Sequence, residues 1–394
     1  MISEMNELAI GFDLTPKGSQ LTFYNRQNSG PMTVSLVPGE ERYLLNTPEE
    51  LFPLIAQGKE EGVELLTSFF RDCMGLLDGT GRPDNQVITV TMEKMDGVWA
   101  RAIIQALESL KIPEQCIYLQ DHRESFFWFT LNQRKELWTY KVALFHYEDD
   151  RIRCWRLGID RKTKPALVEI EKFDTLRLDD KARAGRNDED WNAERDRLFL
   201  KHIQRMFGKD TYSCAYLTGE AFSKEWAKES LAFLCRRRKV FLGQNLYTKG
   251  ACHASMEYAH MSKMGDYLYK SPDMIEQNLG MEMIIRGHKE FYPMISAGIN
   301  WYMARHQCEF ILDDVRDLVL YSKSLSGEMM EHRIALPGLP NRPNRATRLR
   351  LSLSFKSRDK CLVRLQDLGL GGLYPATDKT WDAEIDFSKG GRGA

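Results

Sequence analysis

The sequence predicts an α/β chain that ends in an all-β region. Strand runs such as "QVITVTM" (86–92) and "QCIYLQD" (115–121) alternate with amphipathic helical stretches through the first 268 residues. From about residue 278 the helical periodicity fades, and short strand runs with Pro and Gly clusters take over. The 394 residues, 43% hydrophobic and 28% charged, suit two or three globular domains.

The elements follow in order. "AIGFDLTPKGSQLTFYN" (9–25) reads as strand–turn–strand, within four short strands at 8–12, 21–25, 32–36 and 42–45. Residues 48–78 are helical, with Leu51, Leu54, Leu66, Phe69, Phe70 and Cys73 on the apolar side, and Gly58 and Gly62 breaking the run in two. Strand 86–92 leads into a helix capped by Asp96, with Val98, Ile103, Ile104 and Leu107 on one face. Strand 115–121 leads into the helix "RESFFWFTLNQR". Residues 139–158 form a hairpin around Glu148-Asp149-Asp150.

Beyond it, residues 174–190 are highly charged and read as an exposed loop. "WNAERDRLFLKHIQRMF" is a helix, with His202 as a packing histidine. "YSCAYLTGE" is a strand into a Gly turn, and "AFSKEWAKESLAFLCRRR" an amphipathic helix. A short strand, a turn and a helix complete "KVFLGQNLYTKGACHASMEYAHM". Residues 267–278 read as a linker. Strands are then expected at 280–285, 307–312, 316–322, 330–335, 347–355, 360–366 and 382–387.

Bulk properties exclude several classes. The net charge is −1, from 55 basic and 56 acidic residues, which argues against a broad grip on nucleic acid or an anionic membrane. The basic run "CRRRK" (235–239) reads as a helix C-terminus, where cations suit the dipole. No apolar run reaches the ~18 residues that a membrane helix needs. The start, "MISEMNELAIGFD", lacks the pattern of a signal peptide. None of the eight cysteines forms a C-x-x-C pair, so they read as buried free thiols of a cytoplasmic protein, with no zinc and no haem expected.

A nucleotide held between two lobes needs two phosphate hairpins whose backbone N–H groups cradle the anion. It also needs an Asp facing magnesium-bound water, and a strand-to-Gly turn where a Cβ would collide with the nucleoside. Four segments together fit that list: the opening hairpin with Asp13, the segment 86–121 ending in Asp121, the hairpin at 139–158, and "AYLTGEAF" followed by "NLYTKGACHAS".

In that order and spacing the segments resemble the superfamily of actin, the sugar kinases and the DnaK-type heat-shock chaperones. "IGFDL" is similar to the first phosphate hairpin, "AYLTGEAF" to the adenosine motif, and "NLYTKGACHAS" to the second connecting helix. "NLGMEMIIRG" and "HRIALPGLPNRPNRATRLRLSLSFKSRDKCLVRLQDLG" resemble strands of the chaperones' β-sandwich, which narrows the match to the DnaK-type branch. The chain is also similar to uncharacterised proteins of clostridial-type bacteria.

The resemblance implies a two-lobed actin-like ATPase domain of ribonuclease H-like repeats over 1–268, with lobes of about 1–138 and 139–268, and a β-sandwich over 279–394. It implies ATP or ADP with magnesium. Asp13 and Asp121 fall at catalytic positions, Asp121 where the chaperones carry a Glu. Thr15, Lys17, Thr218, Gly219, Glu220 and Gly250 fall at nucleotide-contacting ones. A protein or peptide partner would dock on the sandwich.

The departures fall on the chemistry. Pro16 removes an N–H donor from the first loop, and Lys17 follows it. Glu148, Asp149 and Asp150 stand where the family has glycines; with Asp13 they form a metal site or an ordinary acidic turn. Three functions are therefore expected candidates: a pseudo-ATPase that senses nucleotide and binds protein, an active magnesium-dependent ATPase or chaperone with rebuilt loops, and an actin-like assembly protein.

Overall fold

The structure is a computed structural model that describes residues 8–35, 45–77, 86–178, 183–219, 221–222, 226–313, 317–324 and 327–389. It divides into two units, Met1–Lys270 and Ser271–Ala394.

The first unit is an α/β fold that uses one sheet order twice. Strands β1 (Leu8–Asp13), β2 (Gln20–Tyr24), β3 (Met32–Thr33), β4 (Gln86–Met92) and β5 (Ile117–Asp121) form a sheet ordered β3-β2-β1-β4-β5. Strands β6 (Lys141–Glu148), β7 (Arg151–Asp160), β8 (Ala166–Arg177), β9 (Tyr212–Thr218) and β10 (Lys239–Leu242) repeat that order as β8-β7-β6-β9-β10. In both, an antiparallel hairpin is extended by parallel strands across a helical crossover. This duplicated order is that of the actin-like ATPase fold.

The helices are α1 (Leu51–Ala56), α2 (Glu60–Gly75), α3 (Gly97–Ser109), α4 (His122–Leu131), α5 (Asp188–Phe207), α6 (Lys228–Leu234) and α7 (Leu246–Tyr258). Gly58, at φ 68°, ends α1 in the left-handed region. Gly62 lies inside α2, where a Cβ would stand 3.0 Å from the Ile55 nitrogen. It lets the two helices close rather than breaking the second. Phe12 meets the Phe70 ring edge-on at 5.0 Å, and both are fully buried. Each such burial contributes about 1.5–3 kcal/mol.

The last helix of each repeat crosses to the other repeat's sheet. From α4, Phe126, Phe127 and Leu131 join the core with Val142, Leu144 and Leu157 of the second sheet. From α7, Thr248 and Ser255 donate to the carbonyls of Gly11 and Ile10 in β1, at 3.1 and 2.6 Å. Where α4 and α7 cross, a Cβ on Gly250 would lie 2.0 Å from the Ser125 carbonyl oxygen. A Cβ on Gly11 would lie 2.3 Å from the Thr248 oxygen.

Several expectations change. Of the strand expected at 42–45, residues 42–44 lie outside the described residues, and Leu45 makes an isolated bridge to Ser19. The strand expected at 32–36 shrinks to Met32–Thr33, and Leu36 lies outside the described residues. Residues up to Arg177 of the expected charged loop belong to β8, because this strand pairs with β7 while its charged side chains face out. Among the described residues of the helix expected over 221–238, Lys228–Leu234 are helical, and Arg236–Arg238 turn the chain into β10. Within the expected linker, Tyr267–Tyr269 form β11, which pairs with β8.

The second unit is a β-sandwich of two four-stranded sheets, ordered β13-β12-β15-β16 and β14-β17-β18-β19. Its strands are β12 (Gln277–Ile285), β13 (His288–Ile295), β14 (Arg305–Ile311), β15 (Asp317–Ser324), β16 (Met329–Ala335), β17 (Arg348–Ser357), β18 (Lys360–Asp367) and β19 (Thr380–Asp386). Alternate residues such as Leu318, Leu320, Leu351 and Val363 meet in one core. Strand β13 was absent from the expected set, because Pro293 and a polar start mask it.

Candidate functional site

The two repeats of the first unit enclose a cleft of about 770 Å³. The loop after β1, the ends of β4 and β9, and the β6–β7 turn supply its walls. The hairpins reach it because β1 and β6 are the central strands of their sheets.

Asp13 ends β1 and is 5% exposed. Its carboxylate meets His122 Nε2 at 2.8 Å. The His122 ring stacks on Tyr247, centroids 3.9 Å apart and 6° from parallel. The Tyr247 hydroxyl lies 3.4 Å from His146 Nδ1, which lies 2.8 Å from Thr218 Oγ1. Burial pushes the Tyr247 phenol well above its ordinary range. A chain of polar and stacking contacts thus runs from the first hairpin, through both histidines, to the second repeat.

In the first loop the Thr15 hydroxyl donates to the Gly18 carbonyl at 2.6 Å. Lys17 reaches across the cleft and pairs with Asp149, with Glu148 3.9 Å away. Glu148 also binds Arg153, which pairs in turn with Glu93. The hydrogen bond with His146 holds the Glu148 carboxyl below its usual range, against the upward push of burial. Asp149 and Asp150 form the β6–β7 turn, Asp149 at φ 54°, and Asp150 pairs with Arg151 at 3.0 Å.

The cleft therefore brings together Asp13, Thr15, Lys17, Glu148, Asp149, Thr218 and Gly219. Gly219 is at φ 90°, and a Cβ there would stand 2.1 Å from the Tyr147 oxygen. Glu220 lies outside the described residues. Two expected residues take other roles. Asp121 is not in the cleft wall; it caps α4, accepting from the Arg123 and Glu124 amides at 2.9 Å, and pairs with Arg123. Gly250 serves the helix crossing. Sequence reasoning missed His122, His146, Arg153 and Tyr247 in this role. His146 and Arg153 lie in the hairpin at 139–158, Tyr247 lies in "NLYTKGACHAS", and His122 directly follows Asp121, so the segments were singled out but not these side chains.

The residues do not fit a magnesium site. Each carboxylate of the expected set, Asp13, Glu148, Asp149 and Asp150, is engaged by a cation or an imidazole. Among the described residues no three ligand-type side chains converge as a metal site would need. Among the described lining residues are five carboxylates (Asp13, Glu93, Asp96, Glu148, Asp149) and three cations (Lys17, Lys94, Arg153).

Among the described residues, no helix is long and apolar enough to cross a membrane. Solved structures similar to the chain include an inorganic polyphosphate/ATP-glucomannokinase from Arthrobacter sp. strain KM, at 12% identity and a TM-score of 0.39, covering 65% of this chain and 100% of that one. Another is a Bacteroides thetaiotaomicron protein with an actin-like ATPase fold and unknown function, at 10% identity and a TM-score of 0.33, covering 66% and 98%. A ROK family glucokinase from Streptomyces griseus matches at 9% identity and a TM-score of 0.39, covering 65% and 100%. At these scores the duplicated sheet order, not the likeness, carries the fold. No curated protein matches the chain. A domain of unknown function, DUF8552, matches residues 274–387. The C-terminal model of a family of unknown function, DUF5716, matches residues 52–271, and the chain belongs to that family.

Proposed function

We propose that the first unit is a nucleotide-sensing, non-hydrolysing module of actin-like fold, and that the β-sandwich engages a protein partner. One observation carries the reading: the two hairpin tips, instead of leaving donors open to a phosphate, are tied to each other by Lys17 and Asp149. Both residues are more than half exposed, so the tie is worth about 0–1 kcal/mol and opens easily. A nucleotide entering the cleft must take Lys17 from Asp149. This exchange couples occupancy to the spacing of the two repeats.

The sandwich supports the partner reading. On the sheet β14-β17-β18-β19, charges are matched across strands, as in Arg350–Glu309 and Arg364–Asp382. The other sheet leaves Ile284, Phe291 and Met329 about half exposed.

Calorimetric titration with ATP and ADP, with and without magnesium, tests the nucleotide reading. Asp149→Gly suits the left-handed φ and removes the tie between Asp149 and Lys17. It is expected to tighten binding several-fold, up to about tenfold. Steady ATP hydrolysis that Asp13→Ala abolishes would show the module to be an active enzyme.

That second reading has its own support. Asp13 and His122 form a buried carboxylate–imidazole pair on the cleft wall, a grouping able to move a proton. It requires ATP binding that weakens, rather than tightens, in Asp149→Gly.

A further inference from the structure

The six-stranded sheet of the first unit ends at β10, and no described strand covers its outer side. The amide of Gly243 donates to the Leu217 carbonyl of β9 at 2.8 Å. Alternation along the strand then turns the amides of Val240 and Leu242 away from β9, toward the open edge. Phe241 and Leu242 are 36% and 58% exposed. A bare edge with apolar side chains is a template for pairing with another strand.

What surrounds the edge selects the partner by charge. A cavity of about 500 Å³ adjoins it, lined by Gln133, Arg134, Leu137, Lys239 and Phe241, with Glu136 the one acid. Just before β10, Arg236 and Arg237 are exposed. No ion pair engages Arg134, Arg236, Arg237 or Lys239 among the described residues. Arg237 adopts φ 62°, where a side chain costs about 1–2 kcal/mol relative to glycine. Arg238 anchors this turn, with its guanidinium over the rings of Phe207 (4.6 Å) and Phe233 (5.3 Å). A charge is thus held at a strained position beside an open strand edge.

We propose that the β10 edge and its cavity bind an extended acidic segment of a partner protein. The segment adds as a strand beside β10, places a carboxylate between Arg134 and Lys239, and lays an apolar side chain against Phe241. Nucleic acid would meet the same cations, but its backbone cannot pair in register with the donors and acceptors of β10.

The probe is a fluorescein-labelled peptide, acetyl-Glu-Val-Glu-Val-Glu-Val-Glu-Val-amide, followed by anisotropy with the full chain. Its lysine–valine counterpart and a 20-mer of oligouridine serve as comparisons. The acidic peptide is expected to bind at least tenfold tighter than the lysine peptide, with binding weakened by salt. Combining Arg134→Gln with Lys239→Gln should cost about tenfold. Arg237→Gly, which relieves the left-handed strain, should cost several-fold while keeping or raising the melting temperature. Hydrogen exchange should slow at Val240 and Leu242 when the peptide is bound. Equal binding of the acidic and lysine peptides would overturn the proposal. So would binding that survives both charge changes, or unchanged exchange at those amides. Tighter binding of oligouridine, lost in the same variants, would assign the surface to nucleic acid instead.

Discussion

At the scale of single residues, the cleft shows how side chains expected to act on a ligand can be used up by the protein. Asp121 accepts two backbone amides and an arginine, a full set for a carboxylate. Asp121→Ala is therefore expected to cost about 0.5–2 kcal/mol in urea unfolding, as loss of a helix cap does. It should leave any nucleotide affinity unchanged by calorimetry; a lost affinity with unchanged stability would return Asp121 to the site. Lys17 was legible as a loop cation but not as a tie to Asp149, because the two stand 132 positions apart in the chain. Nothing local marks such a pair.

At the scale of elements, the crossing of α4 and α7 sets the geometry of the cleft. His122 lies on α4 and Tyr247 on α7, so their stacking depends on how closely the helices approach. Gly250→Ala would place a Cβ against backbone, which cannot move aside as a side chain can. A loss of about 1–3 kcal/mol or more in chemical unfolding is expected. Further along α7, His253 has its pKa pushed down to about 4 by burial and by Lys249, and its Nδ1 has no partner among the described residues. The unfolded chain, with an ordinary value of about 6.5, binds that proton more readily. Stability should thus be highest above pH ~6.5 and fall as the pH drops toward 4, by about 1–3 kcal/mol. His253→Gln should flatten that part of the profile. An unchanged slope would place the titration elsewhere.

At the scale of the whole molecule, each unit has a core of its own, so each has its own weak point. In the sandwich that point is the pair Arg342–Asp367, with side chains 7% and 0% exposed. Burial pushes the Asp367 carboxyl up, but Arg342, Thr377 and the Gly369 amide outweigh it and hold the group well below the carboxylate range. A lowered carboxyl contributes stability above its unfolded value of about 3.9, lost as the pH falls below that value. A fragment of residues 271–394 is expected to unfold cooperatively and to lose stability in that acid range. Arg342→Met should cost it about 3–5 kcal/mol near neutral pH. A fragment without a cooperative transition would show that the sandwich depends on the rest of the chain.

Local pattern carried much of this architecture. Alternating apolar residues marked β17 and β18, a continuous apolar run marked β4, and Asp96 announced α3. These signals are legible because periodicity and capping act within a few residues. Strand β8 stayed hidden, since its charged outer face resembles loop sequence until β7 pairs with it, and β13 because Pro293 and a polar start interrupt its pattern. Local pattern was enough for the alternation of strands and helices in the first unit, the acidic β6–β7 turn and the Pro16-Lys17 departure in the first loop. Tertiary structure alone decided that Lys17 meets Asp149, that His122 meets Asp13, and that Gly250 serves a helix crossing. Those contacts join residues more than 100 positions apart, and only the folded sheets bring them within reach.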